Sequence, residues 1–150
     1  MKKYFVSFIL GLLLISSCVK DDICIEATTP NLIIRFYDIT DTLTVKKTTK
    51  LTVWAIGKDS IYTEAALDSI ILPINLNGDD TTYKFVSDTF TDSLKISYTK
   101  KDVFVSRSCG YKTIFENVEV SLLSTSWMKD FRLKTQTIEN ENSAHITILH

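Results

Sequence analysis

The residue pattern predicts an all-β chain, an antiparallel two-sheet β-sandwich of the immunoglobulin-like or Greek-key kind, with about eight or nine strands. Three observations carry this. Beyond the first 22 residues the chain is rich in Thr, Ser, Ile, Val, Tyr and Phe and poor in Ala and in helical-period segments, which is strand chemistry. Its apolar residues alternate with polar ones at period two, as half-buried strands require. Short turn signals punctuate these runs at regular intervals, the spacing of a sandwich or barrel.

Taken in order, Leu32 to Asp38 opens with a mostly apolar run, Leu51 to Ile56 follows, and Ile70 to Leu76 is a third stretch carrying Pro73. Proline cannot donate to a ladder, so that stretch reads as an edge strand or a bulge. Asn77-Gly78 is the strongest hairpin signal in the chain, turning into Thr82 to Val86. Leu94, Ile96 and Tyr98 alternate with Lys95, Ser97 and Thr99, and Val103 and Val105 resume after Lys100-Lys101-Asp102, which predicts a second hairpin with one wet face. Val118, Val120 and Leu122, then Phe131 and Leu133, then Ile146 and Ile148 after the Glu139 to Asn142 loop, supply the remaining strands. Thr63 to Asp68 and Ser124 to Asp130 have helical composition but are short enough to be single turns inside loops.

The chain opens with MKKYFVSFILGLLLISSCVKDD. Lys2 and Lys3 form a short positive region, Phe5 to Ile15 an apolar run, and Ser16 and Ser17 a small-residue stop. About a dozen apolar residues are too few to cross a bilayer, which takes roughly 20, so residues 1–17 read as a secretory signal. Leu14-Ile15-Ser16-Ser17-Cys18 resembles the lipobox of bacterial lipoproteins. The resemblance implies that Cys18 carries a thioether-linked lipid and becomes the new N-terminus; the other reading is an ordinary signal with Cys18 structural. Two or three acyl chains make an effectively permanent anchor, because each buried methylene contributes about 0.8 kcal/mol. Cys18-Val19-Lys20-Asp21-Asp22 is similar to the export signal of surface lipoproteins in Bacteroidota-type bacteria, and the same residues also suit a plain solvated tether. The location expected is an outer-membrane lipoprotein at the cell envelope, facing outward, or otherwise the periplasm.

With Cys18 consumed by lipid, Cys24 and Cys109 remain as an even pair in a chain bound for an oxidising compartment, and a disulfide between them follows. The loop so closed is worth roughly 4 to 5 kcal/mol on the chain-entropy estimate. Residues 18–30 read as a lipidated tether and 31–150 as one domain, since 133 mature residues fill a single core. Removing Lys2 and Lys3 leaves 15 basic and 18 acidic residues with no basic stripe, which excludes a nucleic-acid partner.

A further resemblance rests on Cys24-Ile25-Glu26-Ala27-Thr28-Thr29-Pro30-Asn31-Leu32-Ile33-Ile34-Arg35-Phe36-Tyr37-Asp38 and on Arg107-Ser108-Cys109-Gly110-Tyr111. These look like the two signatures of an uncharacterised lipoprotein family of Bacteroidota, with resemblance along the whole mature chain. It implies an envelope lipoprotein whose two motif cysteines pair, and it carries over no catalytic residue.

Enzyme chemistry is thinly represented. Cys109 with His145 as its base is the one nucleophile arrangement, and the disulfide competes with it. No Gly-x-Ser-x-Gly elbow, His-Glu-x-x-His or glycine-rich phosphate loop occurs. His145 and His150 are too few for zinc; Asn75, Asn77, Asp79 and Asp80 gather on one loop without EF-hand spacing; Glu116 and Glu119 are an acidic pair of the sort chance supplies. No cofactor is expected. Trp54, Trp127 and Tyr111 are candidate aromatics for stacking on a sugar, with core packing the competing role, above all for Trp54 among Val53, Ala55 and Ile56. Thr42, Ser60, Ser69, Thr81 and Ser93 each follow an Asp in a triplet resembling the O-glycosylation acceptor of Bacteroidota, and Asp-Ser or Asp-Thr also simply initiates turns. The expectation is a non-enzymatic accessory or interaction lipoprotein with an outer-membrane protein as partner. A carbohydrate-binding sandwich and an envelope hydrolase are the alternatives.

Overall fold

The computed structural model describes residues 23–25 and 28–150, and every regular element among them is a strand. In chain order these are β1 (Leu32–Tyr37), β2 (Leu51–Ala55), β3 (Ser60–Ala65), β4 (Ser69–Leu72), β5 (Asp80–Ser87), β6 (Phe90–Ser106), β7 (Gly110–Leu122), β8 (Asp130–Leu133) and β9 (Ile146–Leu149). They form a four-stranded sheet in the order β4-β1-β9-β8 and a five-stranded sheet in the order β3-β2-β5-β6-β7. Alternation makes this a sandwich. Leu32, Ile34 and Phe36 of β1 and Ile146 and Ile148 of β9 join Leu51 and Val53 of β2, Tyr83 and Phe85 of β5 and Leu94 and Ile96 of β6 in one buried cluster between the sheets.

One pairing departs from the antiparallel expectation: β1 and β9 run parallel, from Ile34 opposite Ile146 to Tyr37 opposite Leu149. Parallel neighbours need a long crossover, and here nearly the whole chain separates the two strands. All four residues of β9 are buried, because it is flanked on both sides by β1 and β8.

The Asn77-Gly78 hairpin does not form. β4 and β5 belong to different sheets, and Pro73 to Asp79 is the passage between them. A type I′ turn needs positive φ, whereas the glycines in that region of the backbone map are Gly57 and Gly110. Distant hydroxyls hold the crossover instead. The Tyr83 hydroxyl donates to the Pro73 carbonyl at 2.7 Å, the Tyr98 hydroxyl donates to the Asn75 carbonyl at 2.7 Å, and the Asn75 N–H donates to Thr81 Oγ1 at 3.0 Å. Pro73 itself sits just past β4, an edge strand, where its missing N–H is harmless.

The predicted turn at Lys100-Lys101-Asp102 is also absent, since β6 runs straight through 17 residues. The polar run sits in an exposed ladder: Lys101 pairs with Glu116 at 2.8 Å and Thr113 donates to Asp102 at 2.7 Å. The chain turns later, at Arg107 to Cys109, and Gly110 supplies the left-handed residue, φ +71°, that starts β7. Neither helical candidate is a helix. Thr63 to Ala65 finishes β3, and Ser124 to Lys129 is an irregular loop. The β3 edge is tied across to the β4 edge by Tyr62, whose hydroxyl donates to the Ile71 carbonyl at 3.2 Å and accepts from the Ile71 N–H at 3.0 Å.

Candidate functional site

β6 and β7 outgrow the sandwich. Their pairing continues from Thr99 opposite Glu116 to Ser106 opposite Gly110, and no side chain from Thr99 to Thr113 is buried. Phe115 and Ile114, opposite Lys100 and Lys101, are still buried, so the free part of this hairpin, here termed the arm, starts at Asp102 opposite Thr113 and at about 3.3 Å per residue projects roughly 15 Å beyond the body.

The N-terminal segment runs back along the arm. Cys24 is disulfide-bonded to Cys109 at its tip, with Cα atoms 4.9 Å apart. Thr29 Oγ1 then accepts the Thr113 N–H at 3.0 Å, and Glu141 receives both the backbone and side-chain N–H groups of Asn31 at 2.8 and 2.9 Å before β1 enters the sandwich. The Cys109 N–H bonds Ser106 Oγ at 3.1 Å, which shapes the turn that presents the sulfur. Cys18, the signal segment and Lys20-Asp21-Asp22 lie outside the described residues.

The aromatic candidates part company. Alternation sends Leu51 and Val53 into the core and Trp54 to the outer face of the five-stranded sheet, opposite Lys84 and Ser60. The core role expected for Trp54 is therefore corrected. Trp127 packs on the core, its ring 6.1 Å from Phe36 and 5.5 Å from His150, with Nε1 donating to the Phe85 carbonyl at 3.5 Å. Tyr111 stands on the arm, opposite Phe104 at 5.4 Å between ring centroids. The three share no platform.

The loop that presents Trp127 is organised by a residue the sequence reading passed over. Asp92 is fully buried and accepts the N–H groups of Ser126, Trp127 and Met128 at 2.7 to 2.8 Å. Burial alone raises a carboxyl's pKa, but these donors outweigh it and hold Asp92 below the ordinary carboxylate range. Nothing in the local pattern Thr91-Asp92-Ser93 distinguishes it from a turn aspartate, because its partners lie over 30 residues away.

The remaining candidates are committed elsewhere. His145 Nδ1 accepts the Ile33 N–H at 2.9 Å, which leaves Nε2 to donate to the Asn140 carbonyl at 2.9 Å. Burial holds the ring neutral, its pKa below the usual histidine value. With Cys109 oxidised and both ring nitrogens of His145 engaged, the thiol–imidazole pair does not assemble. His150 is edge-on to Phe36 and Trp127, and burial lowers its pKa as well. Asp79 and Asp80 are each paired with a lysine, Lys100 at 3.4 Å and Lys95 at 2.7 Å. Glu116 pairs with Lys101, and a bulge at Asn117, φ +53°, separates it from Glu119.

Among the hydroxyl triplets, Thr81 and Ser93 are buried, 7% and 5% exposed, and Thr81 Oγ1 is shared between Asn75 and the Tyr98 hydroxyl. The folded chain has no room for a sugar at either. Ser69 is half-buried and donates to the Ile34 carbonyl, Thr42 is half-buried in the turn after β1, and Ser60 faces solvent at the start of β3.

Between the β2–β3 turn and the passage from β4 to β5, Ala55, Ile56, Ile61, Pro73, Ile74 and Asp80 line a cleft of about 700 Å³. Its walls are mainly apolar, with Lys58, Asn75 and Thr82 among the polar groups, and Ile56 is exposed.

A family model described as a family of unknown function (DUF6452) matches residues 50–150. The match takes in Cys109-Gly110-Tyr111 and begins beyond Cys24 to Asp38. No curated protein matches the chain, and no solved structure does.

Proposed function

The chain belongs to the DUF6452 family, and from that premise we propose that it is a non-enzymatic outer-membrane lipoprotein of Bacteroidota-type bacteria, an accessory or interaction module presented from the cell envelope. A lipid on Cys18 anchors it, and Lys20-Asp21-Asp22 directs it outward. The observation that carries this reading is the Cys24–Cys109 bond. It fastens the chain six residues after Cys18 to the far tip of the arm, so that the arm stands between anchor and body. A rigid spacer of this kind serves presentation: the sandwich and its cleft are held clear of the bilayer, toward a protein partner in the outer membrane.

Two measurements on protein purified in detergent from its native envelope test this. The intact mass should equal residues 18–150 plus acyl chains, and a mass equal to polypeptide alone would remove the anchor from the account. Affinity purification should return a stoichiometric membrane protein, and repeated recovery of the lipoprotein by itself would remove the partner.

A further inference from the structure

Four large apolar side chains stand in water at one end of the molecule. Phe104 is 55% exposed and Tyr111 71%, facing each other across the arm. Ile23 and Ile25, 83% and 89% exposed, flank the Cys24 that is bonded to Cys109 at the same tip. Among the described residues nothing covers this cluster, whereas a soluble sheet normally blunts such an end with charge. The tip carries a cation as well, since Arg107 is exposed in the turn between the strands.

We infer that the aromatic tip of the arm rests in the headgroup region of the lipid bilayer, making a second, non-covalent membrane contact beside the anchor. The occupant follows from where the rest of the chain begins. Cys18 is six residues before Cys24, and six residues span at most about 20 Å. A lipid on Cys18 therefore keeps the tip within reach of the headgroups, and the inference rests on that reading. The side chains suit the place: Tyr and Phe partition to the interface, where an apolar ring meets hydrocarbon and a hydroxyl stays wet, and an arginine at the same level meets lipid phosphate. With anchor and tip both held, the arm stands upright and the body cannot sweep over the surface.

The test separates the tip from the anchor. The mature chain 18–150, with Cys24–Cys109 oxidised, is coupled through the free Cys18 thiol to maleimide-phosphatidylethanolamine in phosphatidylethanolamine–phosphatidylglycerol vesicles carrying brominated acyl chains. Chemical coupling supplies the anchor whatever the cell does to Cys18, so failure of lipidation is read separately, from the native mass. The emission of Trp54 and Trp127 should be unchanged by brominated lipid, and Tyr111→Trp should lose the emission that its added indole contributes. Phe104→Trp is a second reporter in case either substitution disturbs the arm. Added indoles quenched no more than the native tryptophans would overturn the inference and leave the tip free for a protein; quenching of Trp54 and Trp127 to the same extent would overturn it too, since the body would then lie on the membrane.

Discussion

The arm is the continuation of β6 and β7, two strands of the sandwich body, and the two regions are held by different physics. Within the body, β6 contributes Leu94, Ile96 and Tyr98 to a closed core, and Tyr98 meets Phe115 of β7 edge-on at 5.0 Å. A few residues further along, the same ladder buries nothing. An isolated two-stranded ribbon is marginal in water. The arm persists because a disulfide closes its tip onto the N-terminal segment, which itself bonds along the β7 edge through Thr29 and Thr113. Burial holds one region and covalent closure the other, so the two should respond to different perturbations.

The largest effect should come from the core. Phe115→Ala is expected to cost about 3 to 5 kcal/mol in denaturant unfolding, while Phe104→Ala, eleven residues earlier and exposed, should move the midpoint within error. Equal losses would abolish the distinction between the regions. Removing the disulfide as Cys24→Ser with Cys109→Ser should lower stability by roughly 2 to 4 kcal/mol, because the unfolded chain regains a long loop. Asp92→Ala should cost about 2 to 3 kcal/mol by stranding three N–H donors, and the near-ultraviolet signal of Trp127 should fall with it while the arm stays intact.

The smallest effects are those of pH, and both are confined to the body. His145 and His150 titrate below the histidine value in the folded state, so the unfolded chain binds protons first. Stability should be flat above about pH 6.5 and decline as pH falls below it. His145→Gln should shrink that slope in pH-dependent unfolding, and an unchanged slope would assign it to His150. A second decline should begin below about pH 3.9, where the unfolded chain protonates the carboxylates that Asp92 and Asp38 keep ionised when folded.

Strands with one clean apolar face were legible from their residues alone: Leu32, Ile34 and Phe36 need no partner to declare a buried face. What escaped was decided by groups far away in sequence. Asn77-Gly78 has every local mark of a hairpin, yet the hydroxyls of Tyr83, Tyr98 and Thr81 capture the backbone beside it and turn it into a passage between sheets. β3 carries mostly exposed residues, Ser60 to Ala65, and edge strands with little burial leave little pattern. Trp54 was readable, since it sits one residue out of phase with Leu51 and Val53, but its apolar neighbours obscured the parity. The cysteine pair was legible by counting, and its position at an arm tip was not, because the arm looks like a turn at Lys100-Lys101 until its register is known.

Hydrogen exchange, read peptide by peptide on oxidised and reduced protein, tests the two-region account most directly. Reduction should bring residues 100–113 close to the unprotected rate, while Leu94 to Tyr98 and Phe115 to Val118 speed up only by the factor that the lost global stability sets and stay far slower than the arm. A uniform acceleration through both stretches, or no change in the arm, would contradict it.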